Sequence, residues 1–435
     1  MQSEDERADR RTGARKIAAA IIGNSLEWYD FTIYGYMAVT IAKLFFPAAV
    51  GWAPLLSTLG IFGIAYIARP LGGILLGHCA DLYGRKFVFT IVLALMLFGT
   101  TMVAVTPTYA TIGIAAPIII LCGRLLQGIS AGGEFGSAAT FLVEIAPATR
   151  RGFYGAWQFS GQGIAVFLSG VIGGGTAHLL TPADLESWGW RVPFLVGLLI
   201  GPIGLYLRAR LSETPEFIAS QEAVREARPI ASILTHYKHR TLLGFGLVVG
   251  GTAMFYVLFV FMPTYAMRVL GLDATAAFVS PMVSGLTVAL GAPLMGLVSD
   301  HIGRRLVMGC ATATGIVLLY PAFTWLSVSP SIATLAVVEA FFGLLFSAYV
   351  GPFSAAIAAM FPVGVRATGL SVAYNIGVSI FGGFSPLIVA WLIAETGDAL
   401  APCYYVIACL FVSAIAIAAM PHQIPEQAPP ERQGL

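Results

Sequence analysis

The chain has 435 residues, is 57% hydrophobic and 11% charged, and carries a net charge of +2. Soluble domains hold roughly 25% charged residues, so no water-facing surface can be assembled from this composition. The small charge, without a basic stripe, argues against a nucleic-acid partner; neither GxxxxGKS/T nor HExxH occurs, which removes those routes to ATP drive and zinc hydrolysis.

Apolar runs of about 20 residues, the length that crosses a bilayer core, recur along the chain. They predict twelve helices at 17–45, 54–79, 87–106, 112–143, 153–180, 191–209, 240–269, 275–299, 306–327, 331–360, 367–395 and 400–420. The first run is too long for a signal peptide and lacks a cleavage site, so it is expected to remain as a helix. A polar stretch over 208–239 divides the helices six and six and opens, at 211–216, like a capped amphipathic segment. The expected organisation is a tail (1–16), an N-terminal six-helix bundle (17–209), a central loop (210–239), a C-terminal six-helix bundle (240–420) and a second tail (421–435). The fold class is therefore all-α integral membrane, with twelve transmembrane helices in two six-helix bundles.

Bases at or beyond the span ends, including Arg7, Arg15, Lys86, Arg150, Arg208, Lys238, Arg305 and Arg366, fall on one side of this map. Only Lys43, Arg191 and Arg268 fall on the other. The positive-inside rule then puts both termini and the central loop in the cytoplasm. The five cysteines lie mostly inside apolar runs without a CxxC pair and read as small core residues. No cofactor and no metal is expected.

One motif occurs twice. Gly77, Asp81 and Gly84-Arg85-Lys86 return as Gly296, Asp300 and Gly303-Arg304-Arg305, each time between long apolar runs. Gly128, Pro147 and Arg151 are likewise matched, at a constant offset, by Gly343, Pro362 and Arg366. Duplicated halves of apolar spans are the build of transporters. The repeat is imperfect, since Glu144 corresponds to Ala359 and Arg124 to Glu339.

Ionisable groups inside spans are costly and hence candidates for function. Glu27 and Asp30 share a face of the first helix, three residues apart. Glu27, Arg69 and Glu134 each lie about 15 Å from the cytoplasmic end of their helices and could meet near mid-membrane. A proton-driven carrier of an anion needs a cation, best an arginine fork, and a carboxyl that burial lets load and release a proton near neutral pH. Arg69 and Arg124 are the candidate cations, and Asp30, Glu27 and Glu134 the candidate proton carriers. Permanent salt bridges are the competing reading, an even match for Arg69 with Glu134. Arg124 has no acid at its own depth along the helices. Gln127, Gln158, Gln162, Tyr374 and Asn375 could hydrogen-bond a substrate, although interhelical bonding explains each singly. Glu339, near an outer helix end, is explained by snorkelling to water, with a place lining the transport path as the lesser alternative. Asp81, Arg85, Glu144, Arg151, Asp300 and Arg304 gather on the cytoplasmic face, where a charge network would act as a gating latch rather than a substrate site.

These residues carry a family resemblance. The paired Asp-Gly-Arg loops resemble the signature loop of the major facilitator superfamily. Gly23 to Phe31, Arg69-Pro70-Leu71-Gly72-Gly73, Gly123 to Gly128 with Gly132-Gly133-Glu134, and Trp188 to Phe194 resemble its metabolite:proton symporters. The match runs over about 15–420 and implies proton-driven uptake of a small organic solute across a bacterial inner membrane, by a monomer. Family substrates include citrate and other carboxylates, 2-oxoglutarate, shikimate, proline and betaine. The stretch from Gly152 to Gln158, with Gln162, looks most like the citrate and tricarballylate members. An organic acid carried with protons is the expectation. A proline or betaine carrier is the rival, against which the short stretch after Pro421 is set. A non-transporting sensor and a drug antiporter are the remaining alternatives.

Overall fold

The computed structural model describes residues 24–25, 27–47, 50–83, 85–132, 134–198, 233, 235–362 and 365–421, with the side chains of 77–78, 80–83, 85–89, 134 and 137 outside that description. The tails, the first turns of helix one, the end of helix six and the amphipathic opening at 211–216 therefore lie outside the described residues.

Each span is apolar nearly all round, which in lipid leaves the backbone no partner but its own helix. Twelve helical passages follow in order among the described residues: α1 (27–36 and Ala38–Phe45), α2 (Ala53–Tyr83), α3 (Arg85–Val105), α4 (Ala115–Ala131 and Glu134–Glu144), α5 (Arg151–Leu179) and α6 (192–198). The second half contributes α7 (Lys238–Met254, a π-helical turn Phe255–Val260, and Met262–Arg268), α8 (Val279–Ile302) and α9 (Arg304–Val328). It ends with α10 (Ile332–Val350 and Phe353–Ala359), α11 (Arg366–Phe381 and Ser385–Thr396) and α12 (Ala401–Ala418). Short polar signals start several outer ends. Asp273 accepts from the Ala276 amide, and Ser331 caps α10 by accepting from Thr334, each meeting one orphan helix N–H.

Two boundaries differ from expectation. The helix expected over 112–143 is a short outer helix, Tyr109–Ile112, followed by α4 from Ala115. The duplicated motif is not an extended loop: α2 and α8 run through Asp81 and Asp300, and α9 restarts at Arg304 after Gly303 alone. Gly303 turns the chain at φ 100°, a conformation that an added Cβ would strain. Asp300 thus sits in the last turn of its helix rather than beyond it.

Within the first half, α4 packs against α2 and α3; within the second, α7 lies against α11 and α12, and α8 against α10. The halves meet along α5 with α8 and along α2 with α11. Glycine makes both kinds of seam possible, because it lets helix backbones approach closely. A Cβ on Gly128 would stand 1.9 Å from the Ala65 carbonyl oxygen, and one on Gly72 2.0 Å from that of Ile129. Between the halves, Gly163 and Gly285 abut each other's helices, and Gly173 and Gly174 accept the ring of Phe278. Gly170, Gly173 and Gly174 are accordingly a packing surface for α8.

Gly128→Val should cost at least the about 1–3 kcal/mol typical of overpacking, because the obstructing atom is backbone. Gly60 and Gly175 have open space where a Cβ would go. Thermal unfolding in detergent should show Gly128→Val losing the monodisperse fold, with Gly60→Ala and Gly175→Ala close to the parent.

Candidate functional site

The inner faces of α1–α4 bury two arginines. Arg124 on α4 is 0% exposed and Arg69 on α2 1% exposed. Their guanidinium carbons lie 4.9 Å and 5.1 Å from the ring centroid of Phe31. Arg69 also faces Tyr66 at 5.0 Å and Trp28 at 5.5 Å, and Arg124 faces Tyr34 at 4.5 Å. Desolvated cation–π contacts of this kind are worth about 2 kcal/mol.

Their acids come from helix one, whose i, i+3 spacing places Glu27 and Asp30 on one face. Arg69 Nη2 donates to Glu27 Oε1 at 3.2 Å. Arg124 reaches Asp30 through two intermediates. Arg124 Nη1 donates to Gln127 Oε1 at 2.7 Å, Gln127 Nε2 donates to Thr100 Oγ1 at 2.8 Å, and Thr100 Oγ1 donates to Asp30 Oδ2. Arg124 makes no direct ion pair with an acid among the described residues, and depth along a helix does not reveal the relay to Asp30 carried by residues of α3 and α4. Asp30 Oδ1, and Nε and Nη2 of Arg124, are buried without hydrogen-bond partners. Gly197 on α6 walls the carboxyl in, since a Cβ there would lie 2.5 Å from Asp30 Oδ1. Glu134 begins the second segment of α4, but its side chain lies outside the described residues.

The remaining polar candidates separate. Gln162 and Tyr374 line a small central cavity between the halves, with Trp28, Phe159, Thr252 and Tyr256. Tyr256 donates to the Tyr66 hydroxyl across the seam at 2.9 Å. Gln158 instead exchanges two bonds with Asn24, and Asn375 donates to the Gly132 carbonyl at 2.9 Å. Those two amides hold helices together in this conformation. Thr100, Phe31, Tyr66 and Tyr256 are not distinguished by sequence; a lone threonine or aromatic in an apolar run gives no signal of its neighbours.

At the cytoplasmic end, the candidate latch forms in two places. Asp300 accepts from the backbone amides of Gly152 and Phe153 at 2.8 and 2.9 Å, so the end of α8 caps the start of α5. Glu144 pairs with Arg366 of the other half at 3.2 Å. Arg304 donates to the Ala355 carbonyl at 3.2 Å, near the inner end of α10. Arg151 joins Asp300 and Arg304 around the inner mouth. Asp81 and Arg85 have side chains outside the described residues. Because Ala359 stands where the repeat would put an acid, no mirror image of the Glu144–Arg366 pair can form.

Comparison with known proteins agrees with this architecture. A family model described as "Sugar (and other) transporter" matches residues 16–235, and the major facilitator superfamily model matches 282–434. The citrate-proton symporter of Klebsiella pneumoniae is 36% identical over 383 residues, 88% of this chain and 86% of that protein. The proline/betaine transporter of Escherichia coli (strain K12) is 33% identical over 415 residues, 92% of this chain and 82% of its own. Among solved structures, a D-xylose-proton symporter superposes with a TM-score of 0.75 at 17% identity, covering 94% of this chain and 98% of that one; at that identity the likeness concerns the fold alone. The duplicated motif, the twelve helical passages and these relatives lead to one conclusion: the chain is a multi-pass membrane carrier of the major facilitator superfamily, in its metabolite:proton symporter family.

Proposed function

We propose that this carrier imports a small organic acid, with citrate as its first candidate, together with protons across a bacterial inner membrane, as a monomer with both termini cytoplasmic. The observation that carries the reading is the buried chain Asp30–Thr100–Gln127–Arg124. A carboxyl shut away from water, one hydrogen bond from a hydroxyl and three from a guanidinium, binds a proton in one conformation and yields it when its surroundings change. Arg69, facing the seam with Tyr66, Tyr256 and Tyr374 around it, is the better placed cation for an anionic substrate. Gln162 and Tyr374 would add hydrogen bonds from the central cavity. Arg124 then serves the proton side more than the substrate side. The citrate-proton symporter relatives support the acid substrate. The proline/betaine relatives favour a second reading, a zwitterionic osmolyte held by the same groups.

Reconstituted protein should accumulate labelled citrate under an inward proton gradient, and proline far less. Proline alone would move the assignment to the osmolyte reading, and accumulation of neither would remove both. Removing one partner of a buried, hydrogen-bonded charge array costs about 2–5 kcal/mol. Arg69→Gln and Arg124→Gln should therefore lower uptake by about 30-fold or more while insertion persists; near-parental uptake would exclude that residue.

The inner latch allows a graded test. Glu144–Arg366 is partly exposed, and such pairs contribute about 0.2–1 kcal/mol. Asp300 makes two charge-assisted bonds, each worth about 1.5–3 kcal/mol. Spin-label distances between the inner ends of α5 and α8 should widen clearly for Asp300→Ala and only slightly for Glu144→Gln. The reverse order would contradict this ranking.

A further inference from the structure

Glu339 on α10 belongs to none of the networks above. Snorkelling predicts that its carboxyl reaches water, but the residue is 0% exposed and neither carboxylate oxygen has a hydrogen-bond partner. It lies about 10 Å in from the outer end of α10 at 1.5 Å per residue. Ser284 of α8 stands beside it, its hydroxyl already donating to the Ser280 carbonyl at 2.8 Å. Tyr36 of α1, in the opposite half, faces it with a hydroxyl that likewise lacks a partner.

No cation compensates the site among the described residues. On α7, Tyr265 donates to the Ala399 carbonyl and Tyr256 to Tyr66, while Arg268 is exposed at the outer end. The titratable residues of α8, Asp300 and His301, stand at its cytoplasmic end. On α9, Arg304 and Arg305 are at that same end, and Cys310 and Tyr320 are exposed. Tyr349 of α10 itself donates to the Leu247 carbonyl. An ionised carboxylate with no partner is far more costly in such surroundings than the neutral acid.

Tyr36, which interacts with Glu339, stands in the outer seam between the halves. Tyr36 meets Phe278 edge-on at 6.1 Å between centroids, and a Cβ on Gly35 would lie 2.5 Å from Val260. Glycines 170, 173 and 174 of α5 receive Met282 and Phe278 of α8. Parting α1 and α5 from α7 and α8 would uncover the carboxyl to outside water.

We propose that Glu339 is a second proton-binding site, in the C-terminal half, and that the outer seam closes over it only when it is protonated. The step is a simple protonation: with the seam open the carboxylate takes a proton from a hydronium ion of the outside water, one O–H bond forming on the carboxyl as one breaks in the hydronium to leave water. On reopening it returns that proton to the same side. The site acts as a gate on closure, separate from the Asp30 relay, and the proposal rests on the alternating-access reading given above.

The test needs no transported substrate. Full-length protein in lipid nanodiscs is compared with Glu339→Gln, which keeps the shape and stays neutral, and with Glu339→Asp, which keeps the titration. Two readouts are taken across pH: the infrared band of protonated carboxyl, and hydrogen–deuterium exchange, corrected for intrinsic rates, in the outer turns of α8 and α10. The expected result is a protonated-carboxyl band present in the parent and missing in Glu339→Gln. Outer-turn exchange should rise several-fold with pH in the parent and Glu339→Asp, and stay flat in Glu339→Gln. An unchanged band in Glu339→Gln, or the same pH dependence of exchange in all three proteins, overturns the proposal. Either outcome holds whether or not citrate is carried, so failure of the substrate reading is seen separately, in the uptake assay.

Discussion

Two guanidinium groups share one phenylalanine. Arg69 and Arg124 both pack against Phe31, almost fully removed from solvent, and the N-terminal half is arranged around keeping them there. Two like charges at that depth would expel each other or unfold the bundle unless compensated. Glu27 compensates one directly and Asp30 the other through Thr100 and Gln127. The two compensations differ in kind. A direct pair is a fixed structural element, whereas a carboxyl linked through a hydroxyl and an amide can change its proton without removing the cation's nearest acceptor. Two acids on one helix face thereby have different partners.

Much of this is legible in the sequence, and the limits are physical. Span number, the six-and-six division and the duplicated motif follow from apolar run length and repetition, both of which survive without tertiary information. The acidic face of α1 follows from helical spacing. Depth along the helices groups Glu27, Arg69 and Glu134 and matches Arg69 with Glu134; the pair seen is Arg69 with Glu27, and the Glu134 side chain lies outside the described residues. The same reasoning does not reach the route from Arg124 to Asp30, which uses a threonine and a glutamine on α3 and α4. It fails again for Glu339, because depth says nothing about which face a residue presents or what covers it. The signature loop departs from expectation for another reason. A single glycine at φ 100° turns the chain where composition alone predicts a longer connection.

The halves are similar in plan and unequal in chemistry. The N-terminal half holds the buried arginines, while the C-terminal half offers a lone buried acid where the repeat has Arg124. At the cytoplasmic mouth, Glu144 reaches Arg366, but Ala359 cannot reciprocate, and Asp300 at the end of α8 accepts from the first amides of α5. The duplicated scaffold thus holds two buried arginines with their acids in one half and the buried acid Glu339 in the other.

The central claim is that Asp30 moves a proton with each substrate. The most direct measurement traps a pH-sensitive dye inside proteoliposomes, imposes no gradient, and adds citrate outside to parent protein and to Asp30→Asn. The account predicts interior acidification with the parent and none with Asp30→Asn, although citrate still exchanges across the membrane. Equal acidification with both proteins, or citrate entry without any acidification in the parent, would contradict it.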